Sequence, residues 1–201
     1  MARALLSTAA TVALLAGLLG GCDSEAPSSD AAPSPTPTPL AEIATETVAV
    51  AREGFCERVA PAALEAALGG APDDADAWSN GERARLAPGV RDVAHEYGCA
   101  WTAGAGAQGT SARAWVFAPP VTTGQAERLR RDATHARGCD PVPDAPAFGT
   151  RDAAVRCGDE VRFQGLFGDA WLSCSLRAAG PDLLERAEQW CATVLQAAAA
   201  G

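Results

Sequence analysis

Cysteine placement constrains this chain more than any other feature. It has seven cysteines in 201 residues, and disulfides consume thiols in pairs, so pairing alone leaves one over. Cys56, Cys99, Cys139, Cys157, Cys174 and Cys191 are spread through the later part of the chain. Cys22 stands apart from them, directly behind an apolar run, in "LLAGLLGGCD" (Leu14 to Asp23). In an exported domain the remaining even set reads as three disulfides, for which fifteen connectivities exist. A metal site is the rival use of such residues. It is disfavoured by the lack of any C-x-x-C pair, although His135-x-x-x-Cys139 has a spacing suited to a ligand pair. No metal and no cofactor are therefore expected.

The start of the chain supports export. Met1-Ala2-Arg3 is a short basic beginning, and the run from Ala4 to Leu19 is interrupted only by Ser7, Thr8, Thr11 and Gly17. A basic start, an apolar stretch and then small residues make a signal-peptide pattern. A single Arg3 is no twin-arginine signal. The run is at the short end of the roughly 17–25 residues that a membrane-spanning helix needs. Leu19-Gly20-Gly21-Cys22 resembles a bacterial lipobox. That resemblance implies a signal peptide over residues 1–21, diacylglycerol on the Cys22 thiol and Cys22 as the mature N-terminus. The protein would then be anchored by lipid to the extracytoplasmic face of the cell membrane, since two or more acyl chains hold stably where one is marginal.

Residues 22–50 read as the lipidated cysteine and a tether. "DSEAPSSDAAPSPTPTPL", Asp23 to Leu40, has almost no large apolar side chains to bury. Its alternating prolines favour polyproline II, which at about 3.1 Å per residue reaches some 50 Å. Thr36 and Thr38 suit O-linked sugars, or the segment is a bare linker. Residues 41–53 are ambiguous between linker and local helix. Residues 51–201 are long enough for one domain with its own core. Net charge is −9, and becomes −10 once Arg3 leaves with the signal. An acidic domain is a poor partner for nucleic acid, whose affinity comes mostly from neutralised phosphates.

Within that domain the clearest element is a hairpin, "EVRFQGLFGDAWLSCSLR". Gly168-Asp169 fits a two-residue primed turn. Counting outward pairs Phe167 with Ala170, Gly165 with Leu172, Phe163 with Cys174 and Val161 with Leu176, all apolar, small or cysteine. The opposite face carries Arg162, Gln164, Leu166, Trp171, Ser173, Ser175 and Arg177, and a one-residue slip would destroy this separation. After Gly180-Pro181-Asp182 a helix begins, with Leu183, Leu184, Ala187, Trp190, Cys191, Val194 and Leu195 at helical spacing. Cys174 and Cys191 thus face each other and are paired here.

A second helix is expected from Thr123 to Ala136, with Ala126, Leu129, Ala133 and Ala136 as a narrow apolar face. Cys139 lies just past it. A third spans "PAALEAALGG", with Pro61 in its first turn and Gly69 as its C-cap. Strands are expected at "HEYGCAWTA", "SARAWVFA" and "AAVRC". Joining helix ends and faces to strands gives Cys56–Cys99, Cys139–Cys157 and Cys174–Cys191. The expected fold class is α+β: an antiparallel sheet with helices packed on one face and three disulfides.

"FCERVAPAALEAALGG", "YGCAW", "GLFGDAWLSCSL" and "QWCATVL" together look like the small cysteine-containing lipoproteins of actinobacteria, of the domain-of-unknown-function type. The resemblance covers about Phe55 to Leu195. It implies an α+β domain outside the membrane and carries no catalytic residue with it.

Searches for chemistry find little. There is no G-x-S-x-G elbow, no H-E-x-x-H and no phosphate-binding glycine loop. In the acidic stretch Asp73 to Glu82, a calcium-loop count started at Asp74 or at Asp76 puts Trp78 at a ligand position, so the stretch reads as a solvated loop. His95 and His135 lack a partner nucleophile and read as surface histidines. Arg128, Arg130, Arg131, His135 and Arg137 form a basic helix face, either solvated or directed at anionic lipid. The candidate binding face is the outer side of the hairpin: Trp171 and Leu166, flanked by Arg162, Gln164 and Arg177. It is either free or covered by another segment, such as 41–53. The function expected is a non-catalytic binding or sensor module with an envelope ligand or protein partner. The alternative is a cell-wall-acting hydrolase.

Overall fold

The computed structural model describes residues 38–87, 89–104 and 109–200. The expected signal peptide, Cys22 and most of the expected tether lie outside the described residues.

Gly168 takes φ 66°, the left-handed conformation that a primed hairpin turn demands. It joins strands β8 (Glu160–Phe167) and β9 (Ala170–Arg177). Their register is the one the alternation dictates: Phe167↔Ala170, Gly165↔Leu172, Phe163↔Cys174 and Val161↔Leu176. Gly165 has a reason beyond pairing. A Cβ there would collide with the Phe148 carbonyl, so the missing side chain lets the preceding loop lie against the sheet. That loop delivers Phe148 edge-on to Phe163 and Phe167, with ring centroids 6.1 and 5.1 Å away.

The hairpin sits in a seven-stranded, wholly antiparallel sheet. Its other strands are β1 (Asp74–Trp78), β4 (Glu96–Ala103), β5 (Thr110–Phe117), β6 (Asp140–Pro141) and β7 (Thr150–Cys157). Spatial order is β1-β4-β5-β9-β8-β7-β6, and β2 (Arg83–Ala87) with β3 (Val90–Val93) forms a separate two-stranded ribbon. Helices α1 (Pro61–Leu68) and α3 (Leu183–Ala198) cover one face. The stripe of α3 expected from spacing is buried there except for half-buried Leu184, and Trp190 meets Trp101 edge-on at 5.5 Å. The three disulfides are Cys56–Cys99, Cys139–Cys157 and Cys174–Cys191. The fold is therefore α+β.

Three expectations change. First, the domain begins before residue 51. Leu40, Thr45 and Val50 are buried, in two short 3₁₀ turns and an extended stretch that cross the core. Val50 bridges Ala199, and Thr45 Oγ1 accepts from Gly149 N at 3.0 Å and donates to Ala147 O at 3.2 Å. Four spaced apolar residues, Leu40, Ile43, Val48 and Val50, suffice to hold a segment with no helical or strand period. Second, Asp74–Trp78 is an edge strand rather than a solvated loop. Its aspartates point away from the helices, and buried Trp78 anchors its end. Third, α2 (Thr123–Thr134) lies on the opposite face from α1 and α3. It starts at a Thr122–Gln125 capping box and docks through Ala126 and Leu129.

Candidate functional site

The position of α2 decides the fate of the hairpin's outer face. Trp171, Leu166 and Gln164 are buried; Trp171 is 0% exposed and packs with Leu166, Val121 and Ala126. They form a second small core beneath α2, so they are not a binding face. The covering segment is α2 and the loop before it, not residues 41–53. Of the five candidate residues only Arg162 and Arg177 reach the open part of the sheet. Both bind Glu160: Arg162 Nη2 lies 2.7 Å from its Oε1, and Arg177 Nη2 lies 3.2 Å from its Oε2.

Side chains alternate across a strand, and inward-facing Cys99 and Cys174 fix which residues point outward. Reading the pairings across five strands gives two rows on the uncovered face. One row runs Asp76, Ala100, Arg113, Ser175, Arg162; the next runs Asp74, Thr102, Ser111, Arg177, Glu160. Small and hydroxyl residues occupy the middle, with aspartates at the β1 edge and arginines across β5, β9 and β8. The β2–β3 ribbon walls this floor with Arg85 and Leu86, and Trp115 closes another side. The resulting groove has a volume of about 550 Å³, within the roughly 300–1,000 Å³ usual for small-ligand sites. By contrast, a cleft between α1 and α3 offers about 30 Å³, and one under the ribbon about 110 Å³.

Arg113 is held at the groove floor by two neighbours. Its guanidinium carbon lies 4.7 Å from the Trp78 ring centroid, and its Nη2 is 3.5 Å from Glu96 Oε1. Trp78 Nε1 donates to that same carboxylate oxygen at 3.2 Å. Gly98 makes the arrangement possible, because any Cβ there would occupy the space of the Trp78 and Trp115 side chains. Burial pushes the Glu96 carboxyl above its ordinary value, opposed by the charge of Arg113 and the Trp78 hydrogen bond. Burial lowers the Arg113 value, opposed by Glu96. Each charge is thus partly stripped of water and depends on the other.

The remaining sequence candidates lie elsewhere. His95 and His135 are exposed and do not line the groove. The ring Nδ1 of His135 is 2.8 Å from the Arg131 carbonyl. Arg130 on α2 is paired with Glu127 at 2.7 Å. Among the described residues no three His, Cys, Asp or Glu side chains converge as a metal site, and no helix is long and apolar enough to cross a membrane. Asp74, Asp76, Glu96 and Arg113 escaped the sequence reading as site residues. The usable signal was parity: once Cys99 faces inward, Glu96, Ala100 and Thr102 face outward on the same strand. No protein-family model matches the chain, and no curated protein matches it.

Proposed function

We propose that this protein is an extracytoplasmic binding module, anchored to the membrane through lipid on Cys22, that holds a polar envelope ligand in the groove over β1, β4, β5, β9 and β8. The observation that carries this reading is the groove itself. Beneath α2 this face of the sheet buries apolar side chains such as Trp171 and Leu166. Here the uncovered half is instead lined with arginines, carboxylates and hydroxyls. Such groups orient a ligand by hydrogen bonds and ion pairs, beside apolar contact with Leu86 and Trp115. The lipobox resemblance supports a position at the membrane. Three disulfides suit an oxidising compartment.

The test uses full-length protein extracted from its native membrane. Ser175 lies at the centre of the floor and is partly exposed, so Ser175→Trp fills the groove without touching the core. Mass spectrometry of co-purifying small molecules should find a species in wild type that is lost in Ser175→Trp. The same spectra should show acyl mass on an N-terminal Cys22. An identical small-molecule content in both proteins refutes the groove; an unmodified Cys22 in the mature protein refutes the anchor.

A further inference from the structure

The groove separates its charges. Its lining holds four carboxylates (Asp74, Asp76, Glu96 and Glu160) and four arginines (Arg85, Arg113, Arg162 and Arg177). A ligand of a single sign would therefore meet as many like charges as opposite ones. Neither Asp74 nor Asp76 forms an ion pair among the described residues, and Arg85, across from them on the ribbon, pairs with neither. Arg162 and Arg177 already spend donors on Glu160. Arg113 differs: its nearest carboxylate oxygen is 3.5 Å away, and it makes no closer hydrogen bond to a described residue. Its planar donor fork is oriented by Trp78 but left unsaturated. Ser111 and Ser175 flank it, one two residues back on the same strand and one directly across.

Resting on the groove as the binding site, we infer that its ligand is a short zwitterionic peptide. Its carboxylate would lie on Arg113 between Ser111 and Ser175, and its free amine would lie against Asp76 and Asp74. Two observations set the length. Asp76 and Arg113 are two strands apart through Ala100, roughly 9–10 Å at the usual strand spacing. An extended peptide advances about 3.3–3.6 Å per residue, so two to three residues span the distance. Charge-assisted hydrogen bonds at both ends match a floor on which only Ala100 and Thr102 lie between the β1 aspartates and the strand of Arg113.

The experiment titrates full-length protein in detergent at low salt with trialanine, N-acetyl-trialanine and trialanine amide, followed by calorimetry. Trialanine should bind, and blocking either end should weaken binding by about tenfold or more, the loss of one charge-assisted bond. Asp76→Asn should weaken trialanine but leave N-acetyl-trialanine unchanged. Arg113→Gln should weaken trialanine but leave the amide unchanged. Asp76 lies on an exposed edge strand, so that variant stands even if Arg113→Gln unfolds. Equal binding of all three peptides, or a blocked peptide that still responds to its own end's variant, overturns the inference. If trialanine fails to bind while Ser175→Trp still strips a native ligand, the peptide assignment falls and the groove stands. If trialanine fails to bind and Ser175→Trp strips no native ligand, both fall.

Discussion

Trp171 allows the second core to be tested quantitatively. It is 0% exposed, yet its indole N–H is buried with no hydrogen-bond partner among the described residues. Two opposing effects therefore act at one side chain. Truncating a buried aromatic to alanine costs about 3–5 kcal/mol in lost packing and cavity. An unsatisfied buried donor carries a penalty of about 1–3 kcal/mol, which any apolar replacement removes. Taking the middle of each range, Trp171→Ala should accordingly destabilise by about 2 kcal/mol, less than a buried tryptophan with a satisfied N–H. Trp171→Phe keeps most of the ring and gives up about 2 kcal/mol of apolar burial. It recovers the same donor penalty, so its net change should stay within about 1 kcal/mol of zero. Urea unfolding with the disulfides intact, followed by far-ultraviolet circular dichroism, gives both values from midpoints at constant slope. In the alanine variant the amides of α2 should also exchange faster, because that helix docks through this cluster. A phenylalanine variant as unstable as the alanine one would mean the indole N–H is satisfied, and the reasoning fails. An alanine variant within about 0.5 kcal/mol of wild type would mean that Trp171 is not core at all.

Three shorter predictions concern the groove floor and the staples. Gly98→Ala should displace Trp78, break its hydrogen bond to Glu96 and quench or shift tryptophan emission; an unchanged spectrum and stability would contradict the close approach. The raised Glu96 value means the folded state holds that proton more tightly than the unfolded chain. Its contribution to stability is then complete below the unfolded value and lost as pH rises through the folded one. The stability of wild type relative to Glu96→Gln should fall in that direction, and a difference flat with pH would refute it. Replacing Cys56 and Cys99 by alanine opens a sequence separation of 43, against 18 for Cys139 and Cys157. Loop closure assigns these about 4 and 3 kcal/mol, so the first pair should lower the unfolding temperature more.

What the sequence made legible follows from where its alternation is chemically sharp. In the β8–β9 hairpin every inward position is apolar, small or cysteine, so only one register buries them together, and that register is observed. The cysteines worked as face markers: each of Cys99, Cys174 and Cys191 sits on a buried stripe that its neighbours define independently. The β1 strand was not legible for the opposite reason. "DADAW" alternates, but its outward residues are aspartates, which are depleted in strands and belong to an edge beside solvent. The 40–50 segment has too few apolar residues for either period and is held by contacts far along the chain, such as Thr45 with Ala147 and Gly149.

The site was illegible for a topological reason. Arg113 and Arg162 are 49 residues apart in sequence, yet one strand apart on either side of Ser175. Parity says that each points outward, but only strand order places them in one row. The choice of face for α2 is likewise beyond local pattern, since its narrow apolar stripe fits either side of the sheet. By settling on Trp171, that helix closes the half of the face whose residues looked most like an interface. The half left open keeps Arg162 and Arg177 from that candidate face and joins them to Arg113 and to aspartates that looked, in sequence, like part of a solvated loop.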